Sequence, residues 1–153
     1  MKRKFLVTGG TGFLGASLTK KLLREGHEVR VLDNESRGRR NRLAEVEGNF
    51  EMFTGDIRDP FVVDKAAKGC HSVVHMAFIN GTEFFYTKPE LVLEVGVKGM
   101  INVLDACKAN NIKDLILISS SEVYQEPPVI PTPEDVPLII PDIHNPLRKF
   151  CQK

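Results

Sequence analysis

The stretch Val7-Thr8-Gly9-Gly10-Thr11-Gly12-Phe13-Leu14-Gly15 decides the fold. It follows a short apolar segment, Phe5-Leu6-Val7, and opens an amphipathic one that runs to Glu25, so it reads as a strand, a turn and a helix. Its glycines satisfy two spacings at once, Gly9-x-x-Gly12-x-x-Gly15 and Gly10-x-Gly12-x-x-Gly15. In a turn that accepts a pyrophosphate, the first glycine permits the tight bend, the next lets backbone approach phosphate oxygens, and the last lets the helix pack on the strand. Backbone N–H groups and the positive end of the helix dipole then converge on the anion. The stretch therefore predicts a dinucleotide site.

Outward from this turn, short apolar runs alternate with helical patterns. Strands are expected at Lys4–Thr8, Glu28–Leu32, Asn49–Thr54, His71–Met76 and Leu115–Ser119. Helices are expected at Phe13–Glu25, ending at Gly26, at Pro60–Lys68, with proline in the first turn and Gly69 past its end, and at Pro89–Asn110. Such alternation predicts an α/β fold, a parallel sheet with right-handed crossovers covered on both faces. After Tyr124 the pattern gives way to Pro127, Pro128, Pro131, Pro133, Pro137, Pro141 and Pro146, which fit neither a helix interior nor a central strand. Residues 1–124 are thus expected to form the nucleotide-binding domain and residues 125–153 a proline-rich irregular segment.

A chain of 153 residues with 42% hydrophobic content buries one ordinary core. Its net charge of +1 leaves no electrostatic footprint for nucleic acid or an acidic membrane. The apolar run after Met1-Lys2-Arg3-Lys4 is cut off by Thr8-Gly9-Gly10, far short of the roughly 7–15 residues of a signal-peptide core, and no stretch approaches the ~18 apolar residues of a membrane span. Cys70, Cys107 and Cys151 form no C-x-x-C pair, which argues against a disulfide framework and a zinc site. No metal site and a cytoplasmic location are expected.

Asp33 ends the second strand about 20 residues after the turn, where a carboxylate accepts from the adenosine ribose hydroxyls and repels a 2′-phosphate. This favours NAD over NADP. The arginines Arg37, Arg39, Arg40 and Arg42 leave two readings open: an arginine that accommodates a 2′-phosphate, or a solvated loop. His75 reads as a packed strand residue rather than a ligand or base.

Five motifs recur in order: Thr8 to Gly15, Asp33-Asn34, Gly55-Asp56-Ile57-Arg58-Asp59, His75-Met76-Ala77 and Ser119-Ser120-Ser121-Glu122-Val123-Tyr124. In this the chain resembles the extended short-chain dehydrogenase/reductase family, the NAD-dependent nucleotide-sugar epimerases and dehydratases, over about residues 4–146. The resemblance implies a Rossmann doubly wound parallel sheet of about five strands in the order 3-2-1-4-5, ending before the C-terminal strands and the substrate domain. It implies NAD as cofactor and a nucleotide-sugar as substrate. Cofactor contacts are implied for Gly9, Gly12, Phe13, Leu14 and Gly15 at the turn, and for Asp33, Asn34 and Arg37 after the second strand. Asp56 would accept from the adenine amino group, Ile57 would lie beside the ring, and Met76 and Ala77 would line the cofactor at the end of the fourth strand. Ser120 would hydrogen-bond the substrate oxygen undergoing oxidation. Glu122 matches an acidic position used for proton transfer in dehydratases and decarboxylases, a role that simple epimerases do not require. Gly96 stands where many members carry asparagine.

The family's proton acceptor is a Tyr-x-x-x-Lys pair, whose ammonium lowers the phenol's pKa from one helical turn away. Here Tyr86 is followed at that spacing by Glu90 and Tyr124 by Pro128. Phe150 falls where the tyrosine is expected, with Lys153 three residues on. The chain is therefore expected to be a truncated, catalytically incompetent N-terminal part of such an enzyme, with a frameshift near codon 146 as the hypothesised cause; downstream DNA without Tyr-x-x-x-Lys in any frame would sink that expectation. The alternatives are a non-enzymatic NAD-binding module that senses the dinucleotide or pairs through its open sheet edge, homo-oligomers included, and a remnant that holds no cofactor.

Overall fold

The computed structural model describes residues 1–124 and 127–138. The chain divides into two compact units, Met1–Ile118 and Ser119–Lys153. In the first, strands β1 (Lys4–Thr8), β2 (Glu28–Asp33), β3 (Glu51–Thr54), β4 (Ser72–His75) and β5 (Asp114–Leu117) form one sheet. All pairings are parallel and the order is β3-β2-β1-β4-β5. The order reverses between β1 and β4, the switch point beside which open α/β sheets bind ligands at their carboxyl edge.

Strand alternation divides the core in two. Leu6, Leu32 and Val73 point to one face, where Val63 and Ala66 of α2 (Pro60–Ala67) and Val103 and Ala106 of α5 (Gly99–Ala109) cover them. Val7, Val29 and Val31 point to the other, under Ala16 and Leu22 of α1 (Phe13–Arg24) and Leu43 of the 3-10 segment Arg40–Val46. Cys70 and Cys107 are free and buried in the first cluster, and burial pushes both thiols up. No helix among the described residues is long and apolar enough to cross a membrane.

One expectation needs correction. The pattern Pro89–Asn110 is not a single α-helix: α4 (Pro89–Leu93) passes into a π-helical turn, Glu94–Lys98, before α5. The Gly99 amide reaches back five residues to the Glu94 carbonyl. A Cβ at Gly99 would run into the Ile57 side chain, so the widened turn is fitted to the loop after β3. A short helix, α3 (Thr82–Thr87), precedes it and ends where Pro89 restricts Lys88. At six residues it is too short for apolar periodicity to reveal. Strand ends also shift: β2 extends to Asp33 rather than Leu32, β3 begins at Glu51 rather than Asn49, β4 runs from Ser72 to His75, and β5 runs from Asp114 to Leu117 rather than from Leu115 to Ser119. In the second unit, the described residues after Tyr124 form bends and turns without helix or strand.

Candidate dinucleotide site

The glycine turn is set by backbone crowding. Gly9 has φ +72°, and a Cβ there would lie 2.9 Å from the Ala77 backbone, so both its conformation and its packing exclude a side chain. Its N–H donates to the Leu32 carbonyl at 2.8 Å, pinning the turn to β2. A Cβ at Gly15 would overlap the Gly9 carbonyl oxygen. The third glycine therefore lets the helix close on the turn's own backbone rather than on strand side chains, while Gly10 is the one pressed against Val31 of β2.

Gly12 caps α1 with extended backbone (φ −67°, ψ 175°) and no side-chain acceptor. Its carbonyl takes the Ala16 N–H and its own N–H goes to Gly9. Among the described residues, no acceptor takes the N–H groups of Phe13, Leu14 and Gly15. The Phe13 and Leu14 side chains are exposed. Three unclaimed donors at the positive end of a twelve-residue helix make an anion cradle.

Asp33 is buried beside that cradle. One carboxylate oxygen accepts from the Thr11 N–H at 2.9 Å and the other from the Glu35 N–H at 2.8 Å. Each oxygen keeps acceptor capacity for a further donor. Asn34 donates through Nδ2 to Asp56 at 3.1 Å, joining the loops after β2 and β3. Arg58 grips Asp56 in a fork, Nε to Oδ1 at 3.0 Å and Nη2 to Oδ2 at 2.9 Å. The guanidinium, opposed in part by desolvation, holds the Asp56 carboxyl below the usual carboxylate range, so it stays an acceptor at neutral pH. Ile57 is buried, and its carbonyl is taken by Nδ2 of buried Asn102 at 2.9 Å.

Three of the four arginines after β2 engage protein partners, and Arg39 is exposed. Arg37 lies over the Phe84 ring at 5.3 Å, Arg40 pairs with Glu47 at 2.6 Å, and Arg42 donates to the Thr11 carbonyl at 3.0 Å. On the other side of β1, Thr8 Oγ1 accepts from the Met76 and Ala77 N–H groups at 3.1 and 3.2 Å and lies 2.7 Å from His75 Nδ1. With its lone pairs so used, the hydroxyl donates to His75 Nδ1. Burial lowers the His75 pKa to about 4, so the ring is neutral and packed at neutral pH.

The structure thus gathers the turn, Asp33, Asn34, Asp56, Ile57, Met76 and Ala77 at one sheet edge, with Arg37 turned onto Phe84. Ser120 precedes the 3-10 turn Ser121–Tyr124 of the second unit, which contains Glu122, and its carbonyl accepts from Val123 at 3.3 Å. Phe150 and Lys153 lie outside the described residues. Sequence reasoning missed Asn102, a polar residue within an apolar helical pattern, and placed Thr8 and Gly10 in the turn without their partners, the exit of β4 for one and Val31 for the other.

Comparison with known proteins agrees with this fold. Residues 5–146 match the NAD-dependent epimerase/dehydratase family. The UDP-glucuronic acid decarboxylase 1 of Danio rerio is 34% identical over 136 residues, covering 88% of this chain and 31% of the relative. A UDP-glucose 4-epimerase of Lactobacillus helveticus is 34% identical over 149 residues, covering 96% of this chain and 42% of that protein. Among solved structures, the Bordetella bronchiseptica enzyme WbmG in complex with NAD and UDP superposes with a TM-score of 0.79 at 27% identity, covering 91% of this chain and 44% of that one. The chain spans less than half the length of these relatives. With five parallel strands in the order 3-2-1-4-5 and this edge, the chain belongs to the NAD-dependent epimerase/dehydratase family.

Proposed function

We propose that this chain is the NAD-binding part of a nucleotide-sugar epimerase/dehydratase. The observation that carries the reading is the α1 N-terminus, where three unclaimed N–H groups stand beside the buried carboxylate of Asp33. The residues fit the dinucleotide: Gly9 and Gly15 let the turn and helix close on backbone, Gly12 starts the helix without a side chain, the Phe13, Leu14 and Gly15 amides would meet a pyrophosphate, and Asp33 has capacity for the ribose hydroxyls. Asn34 and Asp56 would meet the adenine, with Ile57 beside it and Met76 and Ala77 lining the β4 side. Bound NAD supplies a hydride acceptor. The anionic Asp33 and the commitment of Arg37, Arg40 and Arg42 elsewhere favour NAD over NADP. Ser120 would orient the substrate hydroxyl, and Glu122 would serve proton transfer if the chemistry is dehydration or decarboxylation.

These 153 residues contain no tyrosine with lysine four positions on, so by themselves they are expected to hold NAD without moving a hydride. Calorimetric titration with NAD and NADP tests the reading. Saturable heat with NAD and weaker heat with NADP is expected; no heat with either overturns it. NADH formation on adding a UDP-sugar overturns the expectation of incompetence alone.

A second reading is favoured by β5, whose Ile116 and Leu117 are about half exposed, as is Ile118 just after it. Among the described residues no strand pairs its outer edge, which leaves backbone groups free for another chain. Concentration-dependent dimerisation together with NAD binding would support a module that pairs through this edge.

A further inference from the structure

We propose that Phe78 is the aromatic wall of the adenine subsite, seated there by the absent side chain of Gly96. The proposal deepens the reading under Proposed function and rests on it. Four contacts between separate segments form a closed circuit at the carboxyl edge of the sheet. Asn34, after β2, donates to Asp56, after β3, at 3.1 Å. Arg58 joins that second loop to Glu94 of the π-helical turn at 2.7 Å. Two residues on, Gly96 faces Phe78, which leaves β4: a Cβ at Gly96 would lie 3.0 Å from the ring's Cε2. The circuit returns to the β2 loop through α3, where the Arg37 guanidinium lies over Phe84 and a Cβ at Gly81 would lie 3.1 Å from Arg37 Nη1.

Asp56, the proposed acceptor for the adenine amino group, stands on the same circuit as Phe78. The neighbours of Phe78 in the chain, Ala77 and Ile79, pack against the core, yet Phe78 itself is 50% exposed. A ring fixed at its edge by a glycine slot and left half open is a stacking platform, and a purine presents the flat π-face that suits it. The same contact explains the departure at Gly96: a side chain there would displace the ring. Gly96 is thus a positioning residue, and Phe78 a binding residue.

The test titrates the 153-residue chain with NAD and with ADP, which shares with NAD only the adenosine diphosphate portion. Phe78→Ala is expected to weaken both ligands alike, by about tenfold. Phe78→Trp is expected to retain binding, and Gly96→Ala to weaken both ligands by forcing the ring aside. Circular dichroism and a thermal melt report folding; should Phe78→Ala unfold, Phe78→Leu keeps apolar bulk without a π-face and is expected to show the same loss. Binding of both ligands within twofold of the parent in a folded Phe78 variant overturns the proposal, as does a loss confined to NAD, which would place the ring on the nicotinamide half. A parent chain that binds neither ligand fails the reading under Proposed function instead.

Discussion

Helices α1 and α2 begin in opposite ways. At α2, Asp59 caps the first turn, accepting from Phe61 and Val62 at 2.9 and 3.4 Å, and Pro60 occupies the position where a missing N–H costs nothing. At α1, Gly12 caps with no side chain, and the amides of Phe13, Leu14 and Gly15 have no described acceptor. Both helices pack on the same sheet. One satisfies its N-terminus with its own carboxylate, and the other leaves the positive end to an anion from outside. A helix start capped by glycine forgoes about a few tenths of a kcal/mol of side-chain capping and leaves its amides open to an anion.

The largest effect should come from making α1 like α2. Gly12 has a backbone that an L-residue adopts, and a Cβ there would lie 3.1 Å from the Gly9 carbonyl oxygen, so Gly12→Asp can be accommodated with a small adjustment. Its carboxylate would cap the helix and repel a pyrophosphate at the same point. NAD affinity is expected to fall by at least about a hundredfold, because like charges ~4 Å apart cost about 4 kcal/mol even with partial screening. Stability should change by less than about 1 kcal/mol. Calorimetry and denaturant melts check the two halves; unchanged NAD affinity in a folded variant would break the comparison.

Acid should expose the packing behind the cradle rather than the cradle itself. His75 is held at a pKa of about 4 against an ordinary 6.5, so between those values the unfolded chain binds the extra proton. Stability from its neutral burial is therefore complete above pH 6.5 and is lost as pH falls toward 4. The loss is expected to approach about 3 kcal/mol. His75→Asn or His75→Gln should flatten that slope in denaturant melts across the window; an unchanged slope would contradict the assignment.

Asp33→Asn should weaken NAD by about tenfold and narrow the preference over NADP, since it removes a charge-assisted acceptor from the ribose. Parallel titrations with both dinucleotides read this out. The smallest effect belongs to α2: Asp59→Ala should cost about 1 kcal/mol of stability and leave NAD affinity unchanged. Loss of NAD binding in that variant would mean that the two helix starts are not independent.

Both starts were legible, α2 from the proline of its first turn. The α1 turn could be read because its determinants are local: glycine spacing, an apolar run before and an amphipathic one after. Asp33 followed from its place at the end of β2. What the sequence did not reveal depends on partners far along the chain. Thr8 reaches Met76 and Ala77 at the exit of β4, Asn102 fixes the Ile57 carbonyl, and Arg58 spans Asp56 and Glu94. The single-helix reading of Pro89–Asn110 failed for the same reason: the π-helical turn is fitted to Ile57, which no helical period records. For Arg37 the sequence left a 2′-phosphate partner and a solvated loop both open, because its ring partner, Phe84, lies on a later helix.

The central claim is that α1, and not α2, offers its first-turn amides to the dinucleotide. An NMR titration of the backbone N–H signals with NAD tests it residue by residue. The expected result is saturable shifts at Phe13, Leu14 and Gly15, with Phe61 and Val62 unmoved. Saturable NAD binding that leaves Phe13, Leu14 and Gly15 unshifted, or that moves Phe61 and Val62 equally, would contradict the account.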